Sequence, residues 1–236
     1  MNRPQISILI PCYNEEKVII DTARRLLDTL PRLTENFEIV FANDGSTDRT
    51  GELLNELKAK YKSIKVTGYQ SNKGAGYAFR KALEIANGQL IVHMDADLAM
   101  EPWNVCRECI QRLQNCDIAI ASRYLGIRAQ YPLRRRIPSL MYRWLYRLLL
   151  GLSIEDAMSG FFGMRHPVLQ KIEPLEMNGF EIYLELFAKA KRRGLKIEEY
   201  PEKFVHKTAS GEISVNATAP RQILNTFRIW WRLSRY

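Results

Sequence analysis

Leu90-Ile91-Val92-His93-Met94-Asp95-Ala96-Asp97 is a short apolar run that ends in two carboxylates one residue apart. Gly88 stands just before it and Pro102 a few residues after, so the run is punctuated at both ends. A continuous apolar run between turn signals predicts a strand buried in a parallel sheet. Carboxylates at such a strand end are costly to bury unless a cation or hydrogen-bond donors compensate them. A hard divalent cation carrying a diphosphate would compensate both, because magnesium takes one or two carboxylates and completes its shell with substrate phosphates. The alternative is local: Asp95 caps the following turn and Asp97 is solvated. On this stretch alone the two readings weigh evenly.

Working outward, strands alternate with helices. Apolar, β-branched runs predict strands over 5–10 (ended by Pro11), 37–42, 64–67 and 117–121. Val18, Ile19, Ala23, Leu26, Leu27 and Leu30 recur at helical spacing, with Glu15 and Glu16 at the positive end of that helix. Asn43-Asp44-Gly45-Ser46-Thr47-Asp48 is a turn that opens a second helix, with Ser46 or Thr47 as the expected N-cap. Asn72-Lys73-Gly74-Ala75-Gly76 leads into a helix closed by Asn87-Gly88, and another helix spans about 102–113. This alternation means βαβ units and an α/β chain with a mostly parallel sheet. Ligands of such sheets bind beyond the carboxyl ends of the strands. Tyr13 to Glu15, Asn43 to Asp48, Asn72 to Gly76, and Asp95 with Asp97 all fall there, which points to a nucleotide-type ligand.

The second half has a different character. Arg134-Arg135-Arg136 precedes Pro138, and a helix of Leu, Met, Tyr and Trp runs to Leu150 with Arg143 and Arg147 one turn apart. A loop from Glu155 to Gly160 precedes a strand over 161–164; a helix over 180–193 ends at Gly194; a strand covers 195–200; His206 to Glu212 is a polar loop. From Pro220 the chain is amphipathic. Arg221, Asn225, Arg228, Arg232 and Arg235 fall on one helical face, and Ile223, Phe227, Trp230 and Trp231 on the other. That composition suits a helix lying in a membrane interface, and equally a helix packed on the core with a solvated basic face.

Charge follows the same division. The net charge is +9, yet residues 1–118 carry 15 Lys+Arg against 16 Asp+Glu, and residues 119–236 carry 20 against 10. A basic half of that size implies an anionic partner: nucleic acid, a phosphorylated substrate or an acidic membrane. Nucleic acid is disfavoured, because the Asp95/Asp97 edge repels phosphate unless a metal intervenes. A dinucleotide fingerprint is excluded, since Phe79 stands where its third glycine belongs and the Gly-rich loop follows the third strand. No Walker-type Gly-Lys-Ser/Thr is present. The cysteines at 12, 106, 109 and 116 form no secreted disulfide framework, and Cys106-x-x-Cys109 lacks the second pair of a zinc site, so reduced cytosolic thiols are expected. Arg3, a short apolar run and Pro11 do not make a signal peptide, and no run approaches the roughly 20 residues that span a bilayer. A soluble or peripheral protein is expected.

Six motifs occur in one order: Pro11-x-Tyr13-Asn14-Glu15, Asn43 to Asp48, Asn72-x-Gly74-x-Gly76, Asp95-x-Asp97, Ser122-Arg123-Tyr124 and Asp156-x-x-Ser159-Gly160-Phe161. Together they resemble the inverting nucleotide-sugar transferases of family 2 with a GT-A fold. The Arg-rich stretch and the Ser-Gly-Phe motif are similar to the dolichyl-phosphate (polyprenyl-phosphate) mannose synthase branch. The resemblance implies a GT-A catalytic domain over 1–215, with a nucleotide-sugar half (1–122), an acceptor half (123–215), and a C-terminal amphipathic helix (216–236) at a membrane surface.

It also implies roles. Pro11, Tyr13, Glu15, Ala42, Asp44 and Lys73 would hold the nucleotide sugar. Asp95, Ala96 and Asp97 would lie at the diphosphate, with Asp97 and Asp95 holding Mg2+ or Mn2+. Arg123 would bind phosphate, and Asp97, Asp156 and Arg123 would form the catalytic set. Arg134, Arg135, Arg136 and Lys207 would hold the acceptor phosphate. Two departures stand out. Ala99 occupies the place of a polar residue, so water or Glu101 would supply the further ligand, and Gly211-Glu212-Ile213-Ser214 lacks the branch's following Lys.

The implied reaction moves a hexose, mannose from GDP-mannose first and glucose from UDP-glucose second, to a polyprenyl (dolichyl) phosphate. An acceptor phosphate is already anionic and needs no strong base, whereas a saccharide hydroxyl would need one, with Asp156 the candidate. Such an enzyme would sit peripherally at the cytoplasmic face of a membrane, and a membrane partner subunit fits the branch.

Overall fold

The computed structural model describes residues 4–125, 133–203 and 215–235. The elements are β1 (Ile6–Cys12), α1 (Ile19–Thr29), β2 (Phe37–Asp44), α2 (Thr50–Lys60), β3 (Ile64–Tyr69), α3 (Ala75–Ile85), β4 (Leu90–His93), α4 (Pro102–Arg112), β5 (Ile118–Ser122), α5 (Leu133–Leu150), β6 (Phe162–Arg165), α6 (Pro167–Ile172), α7 (Glu181–Arg192), β7 (Ile197–Pro201) and α8 (Val215–Leu233). The strands form one seven-stranded sheet in the order β3-β2-β1-β4-β6-β5-β7. All pairings are parallel except those of β6, which runs antiparallel to both β4 and β5.

Helices cover both faces, as a parallel sheet requires. Ile6, Ile8 and Ile10 of β1 pack with α1, α2 and α4 on one side. Leu9, between them, packs with α3 and α7 on the other, where the core extends to Tyr146, Ile229 and Leu233. This two-period alternation on a strand buried on both faces explains why β1 is apolar on both faces apart from Ser7.

Several expectations need correction. Pro11 does not end β1; it pairs in register with Ala42, and the strand continues to Cys12. β4 is only four residues long, and the chain turns away after Met94, whose N–H still bonds Leu9. Neither Ser46 nor Thr47 caps α2. The N-cap is Arg49, which makes no side-chain cap bond, and Asp48 just before it accepts the Thr50 N–H at 3.0 Å and the Thr50 hydroxyl at 2.6 Å. Arg134, Arg135, Arg136 and Pro138 lie inside α5 instead of ahead of a helix. The short helix α6 and the reversed direction of β6 were not foreseen. Among the described side chains of α8 the buried residues are Asn225, Thr226, Ile229 and Leu233, so Asn225 is not on a solvated face. Its amide donates to Glu181 at 2.6 Å, and Thr226 bonds Tyr142 of α5 at 3.0 Å. Ile223, Phe227, Trp230 and Trp231 remain exposed. The aromatic face of α8 is therefore not the face that packs on the core.

Candidate active site

The loops after β1, β2, β3 and β4 gather at the carboxyl edge of the sheet. The first two are interlocked by hydrogen bonds. The Asn14 N–H donates to Ser46 Oγ (3.0 Å), Thr47 N–H to Asn14 Oδ1 (2.8 Å) and Glu15 N–H to Thr50 Oγ1 (2.8 Å). Asn14 takes φ +56°, a left-handed conformation that asparagine tolerates better than most residues. Tyr13, exposed beside it, is free to cover a ligand's planar face.

Asp44 is buried and organises the third loop. Its carboxylate accepts from the Tyr69 hydroxyl (2.6 Å), the Asn72 amide (3.0 Å) and the backbone N–H groups of Lys73 (2.7 Å) and Gly74 (2.9 Å). Burial and this bond to Asp44 hold the Tyr69 hydroxyl protonated. Lys73 lies over the rings of Tyr69 and Tyr77, 5.4 and 4.7 Å from their centroids. Gly74, at φ +101°, has backbone of Asn178 where a Cβ would project, and Gly76 donates its N–H to the Asn178 carbonyl at 2.7 Å. The two glycines thus admit the 177–179 segment of the same chain.

Past β4 the chain makes a tight turn. Leu98 N–H bonds the Asp95 carbonyl, and Leu98 sits at φ +47°, an uncommon conformation for a branched side chain. Ala96 is buried, and its carbonyl accepts the Thr22 hydroxyl. Asp97 Oδ1 takes the Ala99 N–H at 3.1 Å.

Burial, followed by the charges of Asp97, Asp95 and Asp48, pushes the Glu15 carboxyl up to about 7. Burial, then Asp97, also pushes Asp95 up to about 7, with Arg123 opposing and Asp156 reinforcing the rise. These carboxyls compete for too little positive charge, the condition a cation relieves. Among the described residues no cluster of three or more His, Cys, Asp or Glu side chains is arranged to hold a metal. Glu101, the substitute ligand, is ion-paired with Arg25 at 2.9 Å. The donor set therefore fits a hard cation held by two carboxylates and completed by diphosphate and water, not an all-protein cage.

β6 brings a second loop to the same edge. Because it runs antiparallel to β4, His93 pairs with Phe162, and the Asp156–Gly160 loop abuts the Asp95 turn. A Cβ on Gly160 would collide with the Asp95 carboxylate, so any other residue there must displace that side chain. Asp156 is buried and receives Arg123 in a fork, Nε to Oδ2 at 2.7 Å and Nη2 to Oδ1 at 2.6 Å, plus the Arg123 backbone N–H at 3.0 Å. Such bidentate pairing is strong and geometrically exacting.

Sequence reading passed over three groups that support this arrangement. His93 is fully buried; Nδ1 lies 2.6 Å from the Gly160 carbonyl, and Nε2 lies 2.9 Å from the Tyr183 hydroxyl. A carbonyl only accepts, so Nδ1 carries the proton and Nε2 accepts from Tyr183. Burial pulls the His93 pKa down to about 4, keeping the ring neutral. The signal was present: one histidine within an otherwise apolar run. Tyr183 lies 90 residues away and gave no signal. Nor did Glu199 of β7, which accepts the N–H groups of Glu155 and Asp156 at 2.7 and 2.8 Å.

Of the sequence-predicted residues, Pro11, Tyr13, Glu15, Ala42, Asp44, Lys73, Asp95, Ala96, Asp97, Arg123 and Asp156 lie on the strand ends and loops of this edge. Arg134 to Arg136 lie in the first turns of α5, while Lys207 lies outside the described residues.

Residues 7–173 match the family model described as Glycosyl transferase family 2. The chain belongs to that family. This family 2 chain is 36% identical to the dolichol-phosphate mannosyltransferase of Pyrococcus furiosus over 85% of its own length and 56% of that protein. It is 30% identical to glycosyltransferase AglD of Haloferax volcanii over 98% of its own length and 38% of that protein. It thus spans about half the length, or less, of these two curated relatives. Glucosyl-3-phosphoglycerate synthase from Mycobacterium tuberculosis, solved with Mn2+, uridine diphosphate and glucosyl-3-phosphoglycerate, shares the fold with a TM-score of 0.67 at 19% identity, over 96% of this chain and 79% of that one.

Proposed function

We propose that this family 2 protein transfers a hexose, mannose from GDP-mannose first among donors, to a polyprenyl phosphate with inversion. The observation that carries the choice of acceptor is the Arg123–Asp156 fork. A general base for a hydroxyl acceptor needs a carboxylate free to take a proton. Here both oxygens of Asp156 already accept hydrogen bonds from the Arg123 guanidinium. A phosphate acceptor needs no base, since one of its oxygens is already the nucleophile. The name of the Pyrococcus furiosus relative agrees with this reading.

Asp97 and Asp95 would hold Mg2+ or Mn2+, which supplies charge stabilisation at the leaving diphosphate. The remaining work falls to the chain itself. Tyr13 and the loop ordered by Asp44 bind the nucleoside, and Glu15 supports the first loop. Asp156 aims Arg123 at the charge developing on the leaving group. His93 and Gly160 hold the Asp95 turn in place. The basic second half, Arg134 to Arg136 and Lys207 included, draws in the acceptor phosphate.

A lipid acceptor requires a lipid surface. No helix of the described residues is long and apolar enough to cross a membrane. Instead Met141, Trp144 and Leu148 of α5, and Phe227, Trp230 and Trp231 of α8, stand exposed on a basic half of the chain. Apolar side chains beside arginines suit peripheral contact with anionic headgroups. The test incubates purified protein with detergent-dispersed polyprenyl phosphate and a panel of radiolabelled nucleotide sugars. One donor should give a mild-acid-labile lipid product that chelator abolishes. If no donor labels the lipid and one is instead consumed with an added saccharide acceptor, the acceptor reading is overturned.

A further inference from the structure

Helix α5 has two faces in two environments. Leu140, Met141, Trp144 and Leu148 are exposed, Trp144 at 72% and Leu148 at 82%. Its neighbouring face grips the loop that carries Asp156. Arg143 donates to Glu155 Oε2 at 2.6 Å, and Arg147 pairs with the other oxygen of the same carboxylate. The Tyr146 hydroxyl bonds the carbonyls of Ile154 and Glu155 at 3.0 and 3.1 Å. Arg143 also lies over the ring of Tyr124, 4.3 Å from its centroid and one residue beyond Arg123. No residue intervenes between this grip and Asp156, which in turn orients Arg123.

We infer that α5 is the positioning element of the Arg123–Asp156 pair, and that docking its apolar face on a lipid surface tightens that pair through Glu155. The inference rests on the surface reading above and deepens it. Arg147 and Glu155 are each about a third exposed, at 34% and 31% of their side-chain surface, while Arg143 is more enclosed at 14%. Ion pairs that wet are weak in water and screened by salt. Seating α5 on a bilayer removes water from its outer face and fixes the helix, so the same charges interact more strongly. An element whose order depends on contact at a second site is the physical content of coupling between sites.

The test uses the full chain, vesicles of phosphatidylcholine and phosphatidylglycerol that contain no acceptor, and a short-chain prenyl phosphate that stays in solution. Three quantities are read: cosedimentation, amide hydrogen exchange over 154–160, and transfer to the soluble acceptor. Wild type should sediment, gain protection over 154–160, and transfer about 5-fold faster, within the range of ordinary coupling. Glu155→Gln should sediment like wild type yet show neither response. Trp144→Ser with Leu148→Ser should fail to sediment and lose both responses. If wild type sediments with unchanged exchange and rate, or if Glu155→Gln responds like wild type, the coupling is wrong and the surface reading survives. If wild type does not sediment, the surface reading fails and the coupling with it. If the soluble prenyl phosphate is not used at all, the acceptor reading fails, and exchange alone decides the coupling.

Discussion

The two halves of the site are held by different forces. On the β1–β4 side, loops are fixed by short-range hydrogen bonds from backbone N–H groups to Asn14, Asp44, Asp48 and Ser46. On the α5–β7 side, the Asp156 loop has hydrogen bonds to Glu199 and Tyr146 and, in addition, charge pairs: Arg123 to Asp156, and Arg143 and Arg147 to Glu155. The first kind of scaffold is insensitive to salt and surface. The second kind responds to both. The contrast would suit the proposed transfer from a soluble donor to an acceptor in a membrane.

The largest effects should come from removing charge at the rigid edge. Asp97→Ala should reduce transfer at least about 100-fold, the scale of losing one preorganised electrostatic contact, with thermal unfolding little changed. A marked loss of unfolding temperature would instead mark Asp97 as structural. Next, Asp156→Ala leaves Arg123 without its buried partner and should cost about 3 kcal/mol of stability, as well as most activity, read by urea unfolding and single-turnover transfer. If Asp156→Ala unfolds like wild type, the fork does not hold the second half of the site.

Gly160→Ala tests where the halves meet. The added methyl would push into Asp95. Donor and metal affinity should fall about 10-fold, with about 1–3 kcal/mol of stability lost to overpacking. The smallest effect separates the two sides by pH. Glu15 and Asp95 titrate near 7 in the folded protein, against ordinary values of 4.5 and 3.8. Between about pH 4 and 7 the folded chain therefore holds protons that the unfolded chain has released. Metal-free stability should fall as pH rises through that window, and Mg2+ or Mn2+ should restore it at pH 7 and above. A metal-free melting temperature that rises across the window would contradict the crowded-carboxylate account.

The comparison also explains what the sequence revealed. Strands β1 to β5 were legible because each is a short, mostly apolar or β-branched segment between turn residues, and the edge site followed from their parallel order. The Asp97–Ala99 bond and the Asn43–Asp48 turn are local in sequence. The second half depends on distant partners. Arg123 and Asp156 are 33 residues apart, and His93 and Tyr183 are 90 apart. β6 is four residues long, and its direction is set by pairing with β4 and β5, which periodicity does not encode. On α8, specific bonds to Glu181 and Tyr142 bury Asn225 and Thr226 while tryptophans stay outside. Hydrophobicity alone therefore placed Asn225 on a solvated face, where the structure buries it.

The most direct measurement compares two acceptors of equal chain length, a prenyl phosphate and the corresponding prenol, with one labelled donor across pH 6–9. The account predicts transfer to the phosphate alone, at a rate that does not depend on a proton acceptor at Asp156. Transfer to the prenol, lost in Asp156→Asn while transfer to the phosphate is no better, would contradict it. Asp156 would then be a base, and its fork with Arg123 a resting state.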